Sequence, residues 1–363
     1  MSHHSVIVIA VCWIFICSNS ALPFFELDNM LLKNFTVNRK ETNMQITGRA
    51  FPSVSDINPE IGTDLTQVTW AHAVDNRKKL RRALRGSVMM IEADVSLGKL
   101  KSDPHSENRP IMAHPPISAS DLSLEDFLDE ILDDTQYKGI KLDIKSIDVL
   151  ERALQIVKSR EHKIRVPLWL NADIIKGPVD STSQPLDAHL FLSLTKYYFP
   201  TAVISSGWTT KLGKDGSYTI DHVRNMRDAL IAAQITAPVT FPIRAALSTS
   251  VESRENMLWL LNQIPGSTVT VWSSYGDEVD VPELLDFIDF IGKEFIYIDV
   301  HSGLRCRMSR YRAMRSASSW FLGSWSIGRT GRISAGAGLF ALLTYVTCAT
   351  SFLPWNTDSY NIQ

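Results

Sequence analysis

"MMIEADVSLG", residues 89–98, decides the fold. Met89, Ile91, Ala93, Val95 and Leu97 alternate with Met90, Glu92, Asp94, Ser96 and Gly98. That is the period of a β-strand with one apolar face. Side chains at i and i+2 of a strand point the same way, so Glu92 and Asp94 stand together on the other face. Two like charges so placed repel unless a cation or a proton lies between them.

The rhythm recurs along the chain. Apolar, alternating runs occupy 68–74, 88–97, 139–145, 166–174, 201–208, 237–245, 267–274 and 295–301. Helical patterns lie between them at 75–85, 123–134, 147–160, 187–198, 220–232, 252–263 and 281–292. "SLEDFLDEIL" opens on Ser123 with Asp126 three residues later, a capping-box-like start. "DVPELLDFIDFIG" has Asp280 before it, Pro282 in its first turn and Gly292 at its end. Eight strand–helix units over about 240 residues predict an α/β fold, a (β/α)8 TIM barrel. An open doubly wound sheet is the alternative. The stretch 99–122 reads as an enlarged, hairpin-like loop after the second strand.

One chemical set faces inward. Outward positions are aliphatic, such as Ile140, Leu142 and Ile144, or Ile296, Ile298 and Val300. The inward positions are Glu92 and Asp94, then Lys141, Asp143 and Lys145, then Trp169, Asn171 and Asp173. Arg244, Thr270 with Trp272, and Tyr297, Asp299 and His301 follow on later strands, and His72 ends the first. Polar residues therefore gather at the C-terminal ends of the strands, where barrel enzymes place their sites. Buried charges must be paired or bound to metal. Glu92, Asp94 and Asp143 offer three hard oxygen donors, which suit Mg2+ or Ca2+ rather than Zn2+. Lys141, Lys145 and Arg244 add cations beside them, so the ligand of such a site is an anion, with phosphate the natural choice. His114, in "PIMAHPP", joins His72 as a second imidazole able to exchange protons with a phosphoester.

The ends bound the domain. Residues 5–17 are an apolar run, with Ser18 and Ser20 before Ala21, so residues 1–20 read as a secretory signal peptide; an N-terminal anchor is the alternative. Its removal discards Cys12 and Cys17 and leaves Cys306 and Cys348, too few for a disulfide framework. Asn34 heads an N-glycosylation sequon, consistent with a secreted or cell-surface glycoprotein. Residues 21–65 form an N-terminal extension that packs on the barrel, residues 66–303. Residues 304–332 are basic, and 306–319 supply a last barrel helix. Residues 333–353 carry no charge and are long enough to span a bilayer. A membrane anchor, a lipid-anchor signal and an aberrant end all remain open for that segment, which a polar tail, 354–363, follows. Hydrophobic residues make up 45% of the chain, enough for a sizeable core, and the net charge of −2 gives no argument for nucleic acid.

His72, then Glu92-Ala-Asp94, then His114, then Asp143-Ile-Lys145 resembles the ordered motifs of glycerophosphodiester phosphodiesterases and spider-venom phospholipases D. The resemblance implies a TIM barrel of the phospholipase-C-like phosphodiesterase type. It implies that Glu92, Asp94 and Asp143 bind Mg2+ or Ca2+, that His72 and His114 carry the acid and base work, and that Lys145 contacts phosphate. "VTWAHAVDN", "MIEADVSLG", "PIMAHPP", "KGIKLDIKS" and "PLWLNADIIKGP" resemble the menorin family of animal proteins more closely, over roughly residues 64–303. That family is largely extracellular or membrane-attached and is linked to cell-surface and neuronal biology. Ala73 stands where the phosphodiesterases carry Arg, so Asn76, Asn171 or Arg244 would have to supply that phosphate contact.

Two functions follow. One is a metal-dependent phosphodiesterase acting on a phospholipid-like or glycerophosphodiester ligand, with Lys141, Lys145, Asn171, Arg244 and Trp272 contacting it. The other is a catalytically silent binding module serving a cell-surface adhesion receptor.

Overall fold

The structure is a computed structural model that describes residues 50–325, with side chains described to residue 316. The expected signal peptide, the Asn34 sequon and the uncharged 333–353 segment lie outside the described residues. Among the described residues no helix is long and apolar enough to cross a membrane.

The acid-bearing stretch folds into β2 (Met90–Leu100), the longest strand. It lies parallel to β1 (Trp70–Ala71) on one side and β5 (Gly139–Ile144) on the other. The sheet continues through β6 (Leu168–Ile175), β7 (Val203–Trp208), β8 (Val239–Arg244), β9 (Thr268–Trp272) and β10 (Ile296–Asp299), every neighbour parallel. Helices alternate with these strands, giving a nearly closed (β/α)8 TIM barrel. The helices that follow the strands are α2 (Arg77–Arg85), α3 (Leu124–Leu132), α4 (Ile147–Arg160), α5 (Ala188–Tyr198), α6 (Ile220–Ala232), α7 (Val251–Gln263), α8 (Val281–Ile291) and α9 (Ser302–Trp325). A short α1 (Val54–Ile57) precedes the barrel.

Local signals set these boundaries. Ser123 caps α3 by accepting a hydrogen bond from the Asp126 amide. Asp280 caps α8, Pro282 sits in its first turn, and Gly292 ends it at φ +93°, a left-handed conformation that suits glycine. β2 runs past the barrel and turns back as β3 (Arg109–Met112), antiparallel to it, with β4 (Ala119–Ser120) beside its end. The loop after the second strand is thus partly an extension of the sheet.

The first strand is shorter than its sequence pattern. Only Trp70 and Ala71 pair with β2, because Ala73 adopts φ +53° and turns the chain out of the extended conformation. The Val74 amide then returns to donate to the Glu92 carbonyl at 2.9 Å.

Outward-facing Ile91, Ala93, Val95, Ile140, Leu142, Leu168 and Leu170 are buried under the helices. Inside the barrel, Trp169 meets Trp70 and Tyr297 edge-on at 5.3 and 4.9 Å between ring centroids. Val54, Ile61, Leu65 and Val68 pack against these rings from below. The floor of the barrel is therefore apolar and filled, and the polar inner residues lie above it.

Candidate functional site

Three parallel strands bring the acids together. The register sets Glu92 opposite Lys141 and Asp94 opposite Asp143, and Asp143 opposite Asn171. One carboxylate oxygen from each of Glu92, Asp94 and Asp143 lies within 4.8 Å of the others. Glu92 and Asp94 are buried, and Asp143 is half-buried at the mouth. Three hard donors at this spacing fit a divalent cation with oxygen coordination.

Their partners fix each acid. Lys145 Nζ bridges Asp94 Oδ1 at 2.8 Å and Asp143 Oδ2 at 2.6 Å. Asn171 Nδ2 donates to Asp143 Oδ1 at 2.7 Å, and Ser205 Oγ donates to Asn171 Oδ1 at 2.5 Å. Glu92 Oε2 accepts from the Ala73 amide at 2.7 Å, so the left-handed turn that shortens β1 also aims a donor at this carboxylate. His72 Nδ1 lies 3.3 Å from Glu92 Oε2 and 3.1 Å from Asp299 Oδ2. Carboxylates only accept, so Nδ1 carries a proton and Nε2 is left outside these contacts.

The charges are strongly coupled. Burial opposes the charged form of His72, but Glu92 and Asp299 outweigh it and push its pKa up to about 10. Burial raises the Glu92 carboxyl, an effect the His72 charge only partly offsets. For Asp94 burial is overcome by Lys145 and then by His114, so its carboxyl is held low. Lys145 is held well above the usual ammonium range by Asp143 and Asp94 in spite of burial. Burial and the Asp143 charge push Asp173 up to about 7.

The other expected site residues take varied positions. His114 is exposed on the β3–β4 connection, with Nδ1 2.6 Å from the Pro115 carbonyl. Lys141 is buried beneath the acids, 3.8 Å from Asp299 Oδ2 and over the Trp70 ring at 5.7 Å. Arg244 is held away from the acid cluster. Its guanidinium donates to both oxygens of Asp277 and lies over the Trp272 ring at 5.0 Å. Asn76 caps α2 by accepting from the Lys79 amide. Asn171 is thus the one of the three proposed substitutes for the missing Arg that contacts the acids directly.

Three acids of the site carried no assigned role in the sequence. Asp299 and Asp173 alternate inward, and that parity was their signal. Asp75 sits in a loop with no such pattern, yet its Oδ1 accepts from the Asp94 amide at 3.0 Å. Burial, then Asp94 and Glu92, raise its carboxyl well above the usual range.

The model of the menorin N-terminal domain matches residues 64–305, two-thirds of the sequence. The chain belongs to the menorin family. Human "Protein FAM151B" is 36% identical over 242 residues, covering 65% of this menorin and 83% of that relative. A solved phosphonopyruvate hydrolase in complex with oxalate and Mg2+ aligns over 82% of the menorin chain and 98% of its own, at 12% identity and a TM-score of 0.36.

Proposed function

We propose that this menorin is a divalent-metal-dependent phosphodiesterase of the cell exterior, acting on a phospholipid-like or glycerophosphodiester substrate. The observation that carries the reading is the convergence of Glu92, Asp94 and Asp143, with Lys145 and His72 in direct contact with them. The donor set fits Mg2+ or Ca2+. Such an ion, when bound, supplies a Lewis acid for a phosphoryl oxygen.

The chain's own groups do the rest. Lys145 offers an ammonium to the phosphate anion while holding Asp94 and Asp143 in register. Asp299 and Glu92 fix the His72 ring through Nδ1, so Nε2 is the nitrogen left to exchange a proton. His114, on the exposed loop, serves the other oxygen of the diester. One imidazole takes a proton from the attacking hydroxyl and the other returns one to the leaving oxygen. An attacking hydroxyl within the substrate gives a cyclic phosphate, and water gives a hydrolysed one. Arg244 and Trp272 stack as a rigid wall on the far side of the barrel, suited to the organic part of the substrate.

A second reading has one observation in its favour. Lys145 already forms an ion pair with both Asp94 and Asp143 and offsets one of their two charges, which suits a barrel that only binds an adhesion receptor. Turnover separates the two. Purified protein is incubated with glycerophosphodiesters and lysophospholipids, with Mg2+, with Ca2+ and with chelator. Metal-dependent product supports the enzyme; no product from any substrate, with metal-dependent binding to a cell-surface partner, supports the binding module.

A further inference from the structure

Helix α2 reads "RKKLRRALR", six cations in nine residues and no acid. Leu80 and Ala83 are buried against the barrel, which turns Lys78, Arg81, Arg82 and Arg85 to the exposed side. These four stand at i, i+3, i+4 and i+7, one stripe along the helix about 10 Å long. The stripe combines contacts within the fold, such as Arg85 Nε donating to the Arg81 carbonyl at 3.1 Å, with a run of exposed charge. Lys78 with Arg82, and Arg81 with Arg85, are like charges four apart, which weaken a helix. At the carboxyl end of α2, Arg82 and Arg85 lie in the last turn, and Lys138 Nζ donates to the Gly86 and Val88 carbonyls at 2.6 and 3.1 Å. The other two cations of α2 turn inward, Arg77 paired with Asp126 and Glu130 of α3 and Lys79 Nζ donating to the Ala73 carbonyl at 2.6 Å.

A second basic helix closes the order of elements, where α9 follows β10 as α2 follows β1. α9 holds five arginines and no acid, with Arg307, Arg310, Arg312 and Arg315 exposed. The two helices thus carry 11 of the chain's 37 Lys and Arg, leaving 26 against 39 Asp and Glu elsewhere. A protein of net charge −2 thus concentrates positive charge on two helices; on α9 Arg315 is paired with Asp286 and Asp289 of α8, whereas the α2 stripe holds no acid.

We infer that the α2 stripe docks a sulfated glycan chain. Three of the stripe's four exposed cations are arginines, and the guanidinium fork matches sulfate in bidentate fashion. The α2 cations repeat at regular spacing along one line, which suits a linear polyanion. The helix offers no aromatic ring for stacking a nucleobase. Its apolar residues are spent on the core, so none is left to enter a bilayer.

The test is binding of the full chain to a size-defined heparin octasaccharide across a salt series. Arg81→Gln/Arg85→Gln is compared with Lys176→Gln/Lys211→Gln, which removes the same charge from exposed loops elsewhere on the barrel. We expect the first pair to weaken binding at least fivefold and to lower the slope of log Kd against log salt by about two, one per lost ion contact. The second pair leaves both unchanged, and equal melting temperatures show that both variants fold. Equal weakening by the two pairs overturns the proposal, as does no binding by the parent at physiological salt. Tighter binding to phosphatidylserine vesicles or duplex DNA than to the octasaccharide overturns it too.

Discussion

Asp299 Oδ2 lies 3.1 Å from His72 Nδ1, and this contact joins the last barrel strand to the end of the first. Asp299 is fully buried, while His72 keeps 36% of its side chain open to the mouth. The buried partner therefore fixes the ring that solvent can reach. Asp299→Asn keeps an acceptor but loses the charge, and Asp299→Leu loses both. On the phosphodiesterase reading, Asp299→Leu lowers kcat by about two to four orders of magnitude, while Asp299→Asn falls in between. KM changes little in either, because the residue touches His72 and not the substrate. Steady-state kinetics decide it: a proportional rise in KM with kcat retained contradicts the orienting role.

The acid cluster makes a prediction that needs no substrate. A cation bound by Glu92, Asp94 and Asp143 adds stability by linkage, about 2.7 kcal/mol at a hundredfold excess over Kd. The melting temperature of the parent rises on adding millimolar Mg2+ or Ca2+ and falls back with chelator. Asp94→Asn and Asp143→Asn lose most of that response. An unchanged melting curve with both ions removes the metal site.

The (β/α)8 architecture was legible because the strands repeat one rule, aliphatic outward with polar or aromatic residues inward, and the helices at Ser123 and Asp280 announce their caps. Glu92, Asp94, Asp143 and Lys145 were legible for the same reason: parity in neighbouring parallel strands dictates which side chains meet. What parity cannot convey is how a loop closes. Asp75 reaches the Asp94 amide only because Ala73 turns into a left-handed conformation, and no periodicity encodes that turn. Arg244 was visible as an inward cation, but its partner Asp277 comes from the loop after β9. The sequence could not tell a cation waiting for phosphate from one already paired.

His72 also sets a pH dependence. Its pKa in the metal-free fold is raised to about 10 by Glu92 and Asp299, against about 6.5 in the unfolded chain. A raised pKa favours the folded state wherever the group is protonated there. The contribution is fully present below about pH 6.5 and is lost as pH rises through about 10. Because the ring is partly open to solvent, screening makes the effect smaller than the shift alone implies. Urea midpoints of the metal-free parent should fall between pH 7 and 10 more steeply than those of His72→Gln. Parallel curves for the two proteins would show that His72 is not the group responsible.

The floor of the barrel carries a stability prediction independent of function. Trp169 is buried between Trp70 and Tyr297, with Val68 and Leu65 beneath. Trp169→Ala leaves a cavity there and costs about 3–5 kcal/mol. Denaturant unfolding should show that loss with the m-value unchanged. Trp169→Phe, which keeps a ring in the gap, should recover much of it.

The two histidines have different surroundings, and that difference can be measured. His72 is held by two carboxylates, whereas His114 is exposed and contacts only a carbonyl oxygen through Nδ1. On the phosphodiesterase reading they serve opposite oxygens of the diester, so His72→Ala and His114→Ala each lower turnover by about two to four orders of magnitude. Neither belongs to the three-acid cluster, so both variants keep the metal-dependent rise in melting temperature. The pH–rate profile of the parent is bell-shaped, one limb for each protonation requirement. Loss of one imidazole should flatten one limb and leave the other, since each serves a different proton transfer. A variant lacking both histidines that turns over at the parent rate would exclude the imidazoles from the chemistry and leave Lys145 and the acids as the groups that act.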